Sequence, residues 1–197
     1  MKTPQDFRRD DVRQLFSSRL GKNIVTLNPE ALAIRESFSC NKTTVDFLFN
    51  KLEGGIKKEY KFQDVTGSGF LDAVYRACYN NFADSYSSLR NLSLVDVIIK
   101  PIFSMSSTDA KTDAKTNVTL RLRIKEHGIS EFSYISRSIV YSSFVSMLSA
   151  FQFYMNCDKT FEVLKFVLAD AQSRNRGDIA QQCWSDMAVL TSVNTYD

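Results

Sequence analysis

The chain has 197 residues, 44% of them hydrophobic and 24% charged, with a formal net charge of +3. This is enough for one good core or two small ones, and so mild a charge does not by itself imply nucleic acid. Seven glycines and three prolines are too few for collagen-like or disordered classes, and no apolar run approaches the roughly 18 residues of a membrane span.

The N-terminus, MKTPQDFRRDDVRQLF, is charged throughout and lacks the apolar core of a secretion signal, so a cytoplasmic location with no membrane partner is expected. Val12, Leu15, Phe16 and Leu20 share one helical face and predict a helix over 5–20. The period then changes to two. Leu32, Ile34 and Phe38 lie on one side of a first strand, and Val45, Phe47 and Phe49 on one side of a second. Leu52-Glu53-Gly54-Gly55 reads as a hairpin, and Tyr60 and Phe62 alternate with charged residues in a third strand. A helix follows over 69–86 with Leu71, Val74, Cys78 and Phe82 inward.

The second half repeats this order. LSLVDVIIKPIF is β-branched, and NVTLRLRIK alternates Val118, Leu120, Leu122 and Ile124 with Thr119, Arg121, Arg123 and Lys125. The EHG turn leads to ISEFSYIS, then to a helix over 138–155 with Val140, Phe144, Met147, Leu148 and Phe151 on one face. The segment 104–116 reads as an exposed, mobile loop. Residues 159–174 and 178–190 form an expected helical hairpin about Asn175-Arg176-Gly177. The halves superpose without a gap, Val45 on Val118 and Gly55 on Gly128. The expected fold is α+β: two β-β-β-α units sharing a core, an N-terminal helix over 1–22, a double unit over 23–156 and a helical extension over 157–197.

ALAIRESFSCNKTTVDFLFNK and KKEYKFQDVTGSGFLDAVYRA, with LVDVIIKPI and DAKTNVTLRLRI in the second half, resemble the C-terminal regulatory domain of 2-isopropylmalate and citramalate synthases. Gly67, Gly69, Asp72 and Ala73 match that family's Gly-x-Gly-Pro-x-Asp-Ala, and Asp96 and Asp113-Ala114 match its second-half signatures. The resemblance implies a non-catalytic dimeric module that binds leucine, isoleucine or a related carboxylate and acts on a synthase, here in trans because no barrel is present. It implies effector contacts at Gly67, Ser68 and Gly69 with walls from Leu94, Val97 and Ala114, and no cofactor, metal or catalytic residue. Phe70 stands where the family has proline, Val97 where it has tyrosine, and Ser133, Ser136 and Arg137 where it has glycine-rich backbone.

Read by themselves, the two glycines open a helix whose first N–H groups have no internal partner and favour a carboxylate or phosphate. A close backbone approach explains them equally. Asp72 in the first turn is expected to stabilise the helix end. Arg121, Arg123 and Lys125 form a basic stripe without exposed aromatics, which favours a solvated face over a nucleic-acid surface. His127 has no partner in sequence for a metal or for general-base work, and Cys40, Cys78, Cys157 and Cys183 form no C-x-x-C pair. The alternative function is an interaction scaffold that kept the fold and lost the effector.

Overall fold

A computed structural model describes residues 4–40, 42–102, 114–125 and 127–196. Helix α1 (Pro4–Leu20) precedes the meander β1 (Thr26–Ser37), β2 (Lys42–Glu53) and β3 (Ile56–Gly67), and α2 (Phe70–Phe82) closes the first unit. A 3-10 turn at Ser87–Asn91 leads to β4 (Leu92–Ile102), β5 (Lys115–Ile124) and β6 (Gly128–Ser136), also an antiparallel meander. Helix α3 (Ile139–Ser173) and helix α4 (Gly177–Thr191) complete the α+β fold. Residues 103–113, including Asp113 and most of the expected loop, lie outside the described residues.

The central strand of each sheet carries the alternation that drives it inward. Val45, Phe47 and Phe49 are buried on β2, as are Val118, Leu120, Leu122 and Ile124 on β5. Cross-strand aromatic pairs tighten the first sheet: Phe47 stacks on Phe62 at 4.6 Å and Phe49 on Tyr60 at 5.5 Å. Helix α2 covers that face with Ala73, Val74, Cys78 and Phe82. The units share their core, because Phe144 of α3 meets Phe47 of β2 edge-on at 5.7 Å and Tyr75 of α2 meets Phe151 of α3 at 5.8 Å. Helix α1 lies on α3 through Phe16 and Phe153. It is tied to α4 where Arg19 Nε donates to Asp186 at 2.8 Å.

The register records the duplication. Pro29 faces Phe49 and Ala31 faces Leu48, so β1 bulges at Glu30. Leu94 faces Leu122 and Asp96 faces Arg121, so β4 bulges at Val95. Phe49 and Leu48 are the equivalents of Leu122 and Arg121 when Val45 is laid on Val118, so the two bulges coincide.

Three expectations need correction. Gly128 faces Ile124, the equivalent of Lys51, whose partner is Lys58. Gly128 therefore matches Lys58 and not Gly55: the second hairpin closes earlier, and the gap-free superposition fails beyond the central strand. Phe38 lies past the end of β1 and is 91% exposed, because the chain turns at 38–40 before the strand alternation can carry it inward.

The helices expected at 138–155 and 159–174 are one helix of 35 residues, ~52 Å long. Asn156 and Asp158, weak helix formers in the gap between the two expected helices, are buried within it and spend their polar groups on tertiary bonds. Asn156 Oδ1 accepts from Val25 N at 2.8 Å and its Nδ2 donates to Val25 O at 2.9 Å. Asp158 accepts from Ser88 N at 2.9 Å and from Ser88 Oγ, and Asn194 donates to the same hydroxyl. Asp158 thereby caps the 3-10 turn that joins the two units.

Burial raises the pKa of Asp158, which outweighs the lowering by the Ser88 bonds, and Glu162 adds to the rise. A carboxyl that holds its proton more tightly when folded favours folding at low pH. That advantage is lost as pH rises from the ordinary carboxylate range through the raised folded value. Asp158→Asn keeps an acceptor for Ser88 N and removes the charge. The variant should therefore gain stability relative to wild type as pH rises from 4 to 7. Parallel urea-melt profiles of the two proteins over that range would contradict this reading.

Candidate functional site

Gly67 ends β3 opposite Thr43. A Cβ built on it would lie 2.6 Å from Ala73 N and 2.9 Å from Asp72 Oδ2, so its lack of a side chain lets the strand end meet the first turn of α2. Gly69 is different. It caps α2 in an extended conformation, φ −167°, with open space where a Cβ would stand. Between them, Ser68 donates its N–H to Asp72 Oδ2 at 3.0 Å and its hydroxyl at 3.2 Å. Arg76 Nε donates to Asp72 Oδ1 at 2.8 Å. Burial pushes the Asp72 carboxyl up, but Ser68 and Arg76 more than offset it and its pKa is lowered. The mouth of α2 thus already holds a carboxylate, its own, reaching back as in a capping box. A second anion there would face like-charge repulsion.

The other expected contacts do not gather into one pocket within the chain. Leu94 and Val97 are half-buried on β4, facing Leu122 and Leu120. Ala114 is half-buried just before β5. The eight-residue step from Ala114 to Leu122 spans ~26 Å along a strand, so no amino-acid-sized ligand touches both Ala114 and Leu94.

The repeat points elsewhere. The cap Gly69 corresponds to Ser138, the cap of α3, and Leu94 and Val97 correspond through the matching bulges to Pro29 and Leu32. At that second location the structure has a cleft of about 220 Å³ lined by Pro29, Glu30, Ala31, Leu32, Ser138, Val140, Tyr141 and Phe144. The mouth of α3 is capped by Ser138 Oγ, which accepts from Tyr141 N at 3.1 Å, and its first turn contains no acid. Tyr141 takes the place that Asp72 holds in α2. The N–H groups of Ile139 and Val140 precede the first intrahelical bond and remain without a helical acceptor. Glu30, at the bulge, accepts from Asn50 and has Lys57 at 3.7 Å. Leu32, Val140 and Phe144 supply apolar wall. Sequence reasoning stopped at the half that kept its glycines. Carrying the expected contacts across the repeat would have found this cleft.

The first residue of the basic stripe is paired. Arg121 lies 3.6 Å from Asp96 on β4 and 3.1 Å from Glu131 on β6, a cross-strand triad on the outer face of the second sheet. His127 is half-buried in the β5–β6 turn. Among the described residues no three His, Cys, Asp or Glu side chains come together at metal-ligand spacing, and no helix is long and apolar enough to cross a membrane. No protein-family model matches the chain, and no curated protein sequence matches it.

Proposed function

We propose that the chain is a non-catalytic regulatory module that binds a small apolar amino acid or a related carboxylate, in the manner its sequence resemblance suggests. The observation that carries this reading is the cleft at the mouth of α3. Its volume, about 220 Å³, lies below the ~300 Å³ at which drug-sized pockets begin and suits a metabolite of amino-acid size. The site offers three chemistries in one place: unbonded helix N-terminal amides for a carboxylate, the Glu30 carboxylate for an ammonium, and the Leu32–Val140–Phe144 wall for an aliphatic side chain. A ligand bridging β1 of the first unit and α3 of the second would stabilise one arrangement of the units over another, and a synthase reading that arrangement would be controlled in trans. A homodimer belongs to the same proposal.

The test is a thermal-shift and calorimetric screen of the full chain against leucine, isoleucine, valine and their 2-oxo acids. A ligand at 100 times its Kd should add about 2.7 kcal/mol of stability. Val140→Trp, which fills the cleft, should abolish the shift while leaving the unliganded melting temperature nearly unchanged. Gly69→Val should leave the shift intact. The reverse pattern would move the site to the mouth of α2, and no shift with any of these compounds at millimolar concentration would remove the effector reading. In that event the interaction-scaffold reading gains. Its structural support is the exposure of Phe166 and Trp184 on α3 and α4, 78% and 58%, which is unusual for large aromatics on adjoining helices.

A further inference from the structure

Strand β4 is an edge of the second sheet, paired on one side with β5. Its equivalent, β1, is an edge of the first sheet, but α3 lies along it and gives it side-chain bonds at Val25 and Leu27. Helix α2 reaches the start of β4, where the Tyr75 hydroxyl donates to Leu92 O, but among the described residues no helix backbone lies along the strand. Yet β4 is the more apolar of the two. Val95, Ile99 and Ile102 are 42%, 48% and 42% exposed, where the matching positions of β1 carry Glu30, Ile34 and Ser37. Uncovered edges are normally blunted with charge. Here the covered edge exposes no large apolar side chain and the uncovered one exposes three, so the pattern is the reverse of one built to face water.

We infer that β4 pairs with β4 of a second copy of this chain, about a two-fold axis at Ile98. Antiparallel pairing in that register sets Asp96 of each copy opposite Lys100 of the other, giving two cross-strand ion pairs on the outer face. It sets Val97 opposite Ile99 twice on the inner face, and Ile98 opposite itself. The side-chain faces agree with those fixed by pairing to β5: Asp96, Ile98 and Lys100 face Arg121, Thr119 and Asn117 on the outside, and Val97 and Ile99 face Leu120 and Val118 on the inside. Two three-stranded sheets thus become one of six strands, and the contact is isologous, with every pair off the axis occurring twice. Other registers lose the Asp96–Lys100 match. Pro101 lies three residues past the axis, near the strand end, so its missing N–H does not interrupt the central pairs. The inference deepens the homodimer of the proposed function, but its observations come from β4 and do not depend on any ligand in the cleft.

The test uses the full chain in a Cys40→Ser background, which removes the one cysteine that is exposed. Sedimentation equilibrium should return twice the chain mass, and Lys100→Glu, which sets Glu against Asp96 twice, should return the chain mass with an unchanged melting profile by circular dichroism at low protein concentration. Directly opposed strand residues have Cα atoms about 4.5–5.5 Å apart, within disulfide reach. Ile98→Cys should therefore cross-link on mild oxidation, while Ile135→Cys, on β6 and more exposed than the half-buried Ile98, should not. A monomer at tens of micromolar, a Lys100→Glu protein that remains dimeric, or equal cross-linking at the two sites would overturn the proposal.

Discussion

Replacing Asn156 with alanine is expected to destabilise the protein by about 3 kcal/mol or more, read as a lower urea midpoint at unchanged slope. Asn156 is 2% exposed and Val25, whose N–H and C=O it satisfies, is fully buried. A side-chain amide has the same donor and acceptor as a peptide group, and here it bonds the start of β1 as a neighbouring strand would. Gln152 continues this one turn earlier, its Oε1 accepting from Leu27 N at 2.9 Å. Alanine at 156 leaves a buried donor and a buried acceptor unpaired, each costing about 1–3 kcal/mol. Asn156→Asp keeps the acceptor for Val25 N–H but points a charge at the Val25 carbonyl, so it should not rescue. Gln152→Ala, at a half-buried position, should cost about 1 kcal/mol. A loss below about 1 kcal/mol in Asn156→Ala would mean that water or backbone adjustment satisfies Val25 instead.

The strand order and the inward faces were legible because a two-residue period survives in every strand, most plainly from Val118 to Ile124. Both central strands have flanking strands of similar length, and that made the duplication visible. What failed depended on pairing, which composition does not carry. Gly55 and Gly128 looked equivalent as glycines near hairpin tips, but register is fixed by which residues oppose one another. The break expected near Asn156–Asp158 failed for the opposite reason. Asn and Asp are weak helix formers in isolation, and only the folded chain supplies Val25 and Ser88 as their partners. The candidate site was half legible. The expected ingredients, a helix mouth beside a Leu94/Val97-type wall, recur in the cleft proposed as the site. In the first unit, however, Asp72 occupies the mouth. In the second, the equivalents are Ser138, Pro29 and Leu32, which carry no glycine signature.

Gly67→Ala is expected to destabilise by about 2–3 kcal/mol, whereas Gly69→Ala should change stability by less than ~1 kcal/mol. The two glycines look alike in sequence and differ in what surrounds them. The Cβ that alanine adds at Gly67 meets the backbone nitrogen of Ala73 at 2.6 Å, an atom held by its bond to Gly69 O at 3.0 Å. The Asp72 carboxylate can turn away, but Ala73 N and Cα are backbone, so the strand end and the helix must separate. That movement also weakens the Ser68–Asp72 bonds that cap α2. At Gly69 the added methyl meets open space, and the extended backbone there is available to any residue. Alanine lowers the entropy of the unfolded chain but is a poorer helix cap than glycine, and these effects oppose each other. If the glycines were kept for an anion at the mouth of α2, both substitutions would spare stability and differ only in ligand affinity. If they are kept for the packing of β3 onto α2, the Gly67 variant alone should unfold at a lower urea concentration, with no ligand present. Equal midpoints for the two variants would refute the packing account and return the mouth of α2 to consideration as an effector site.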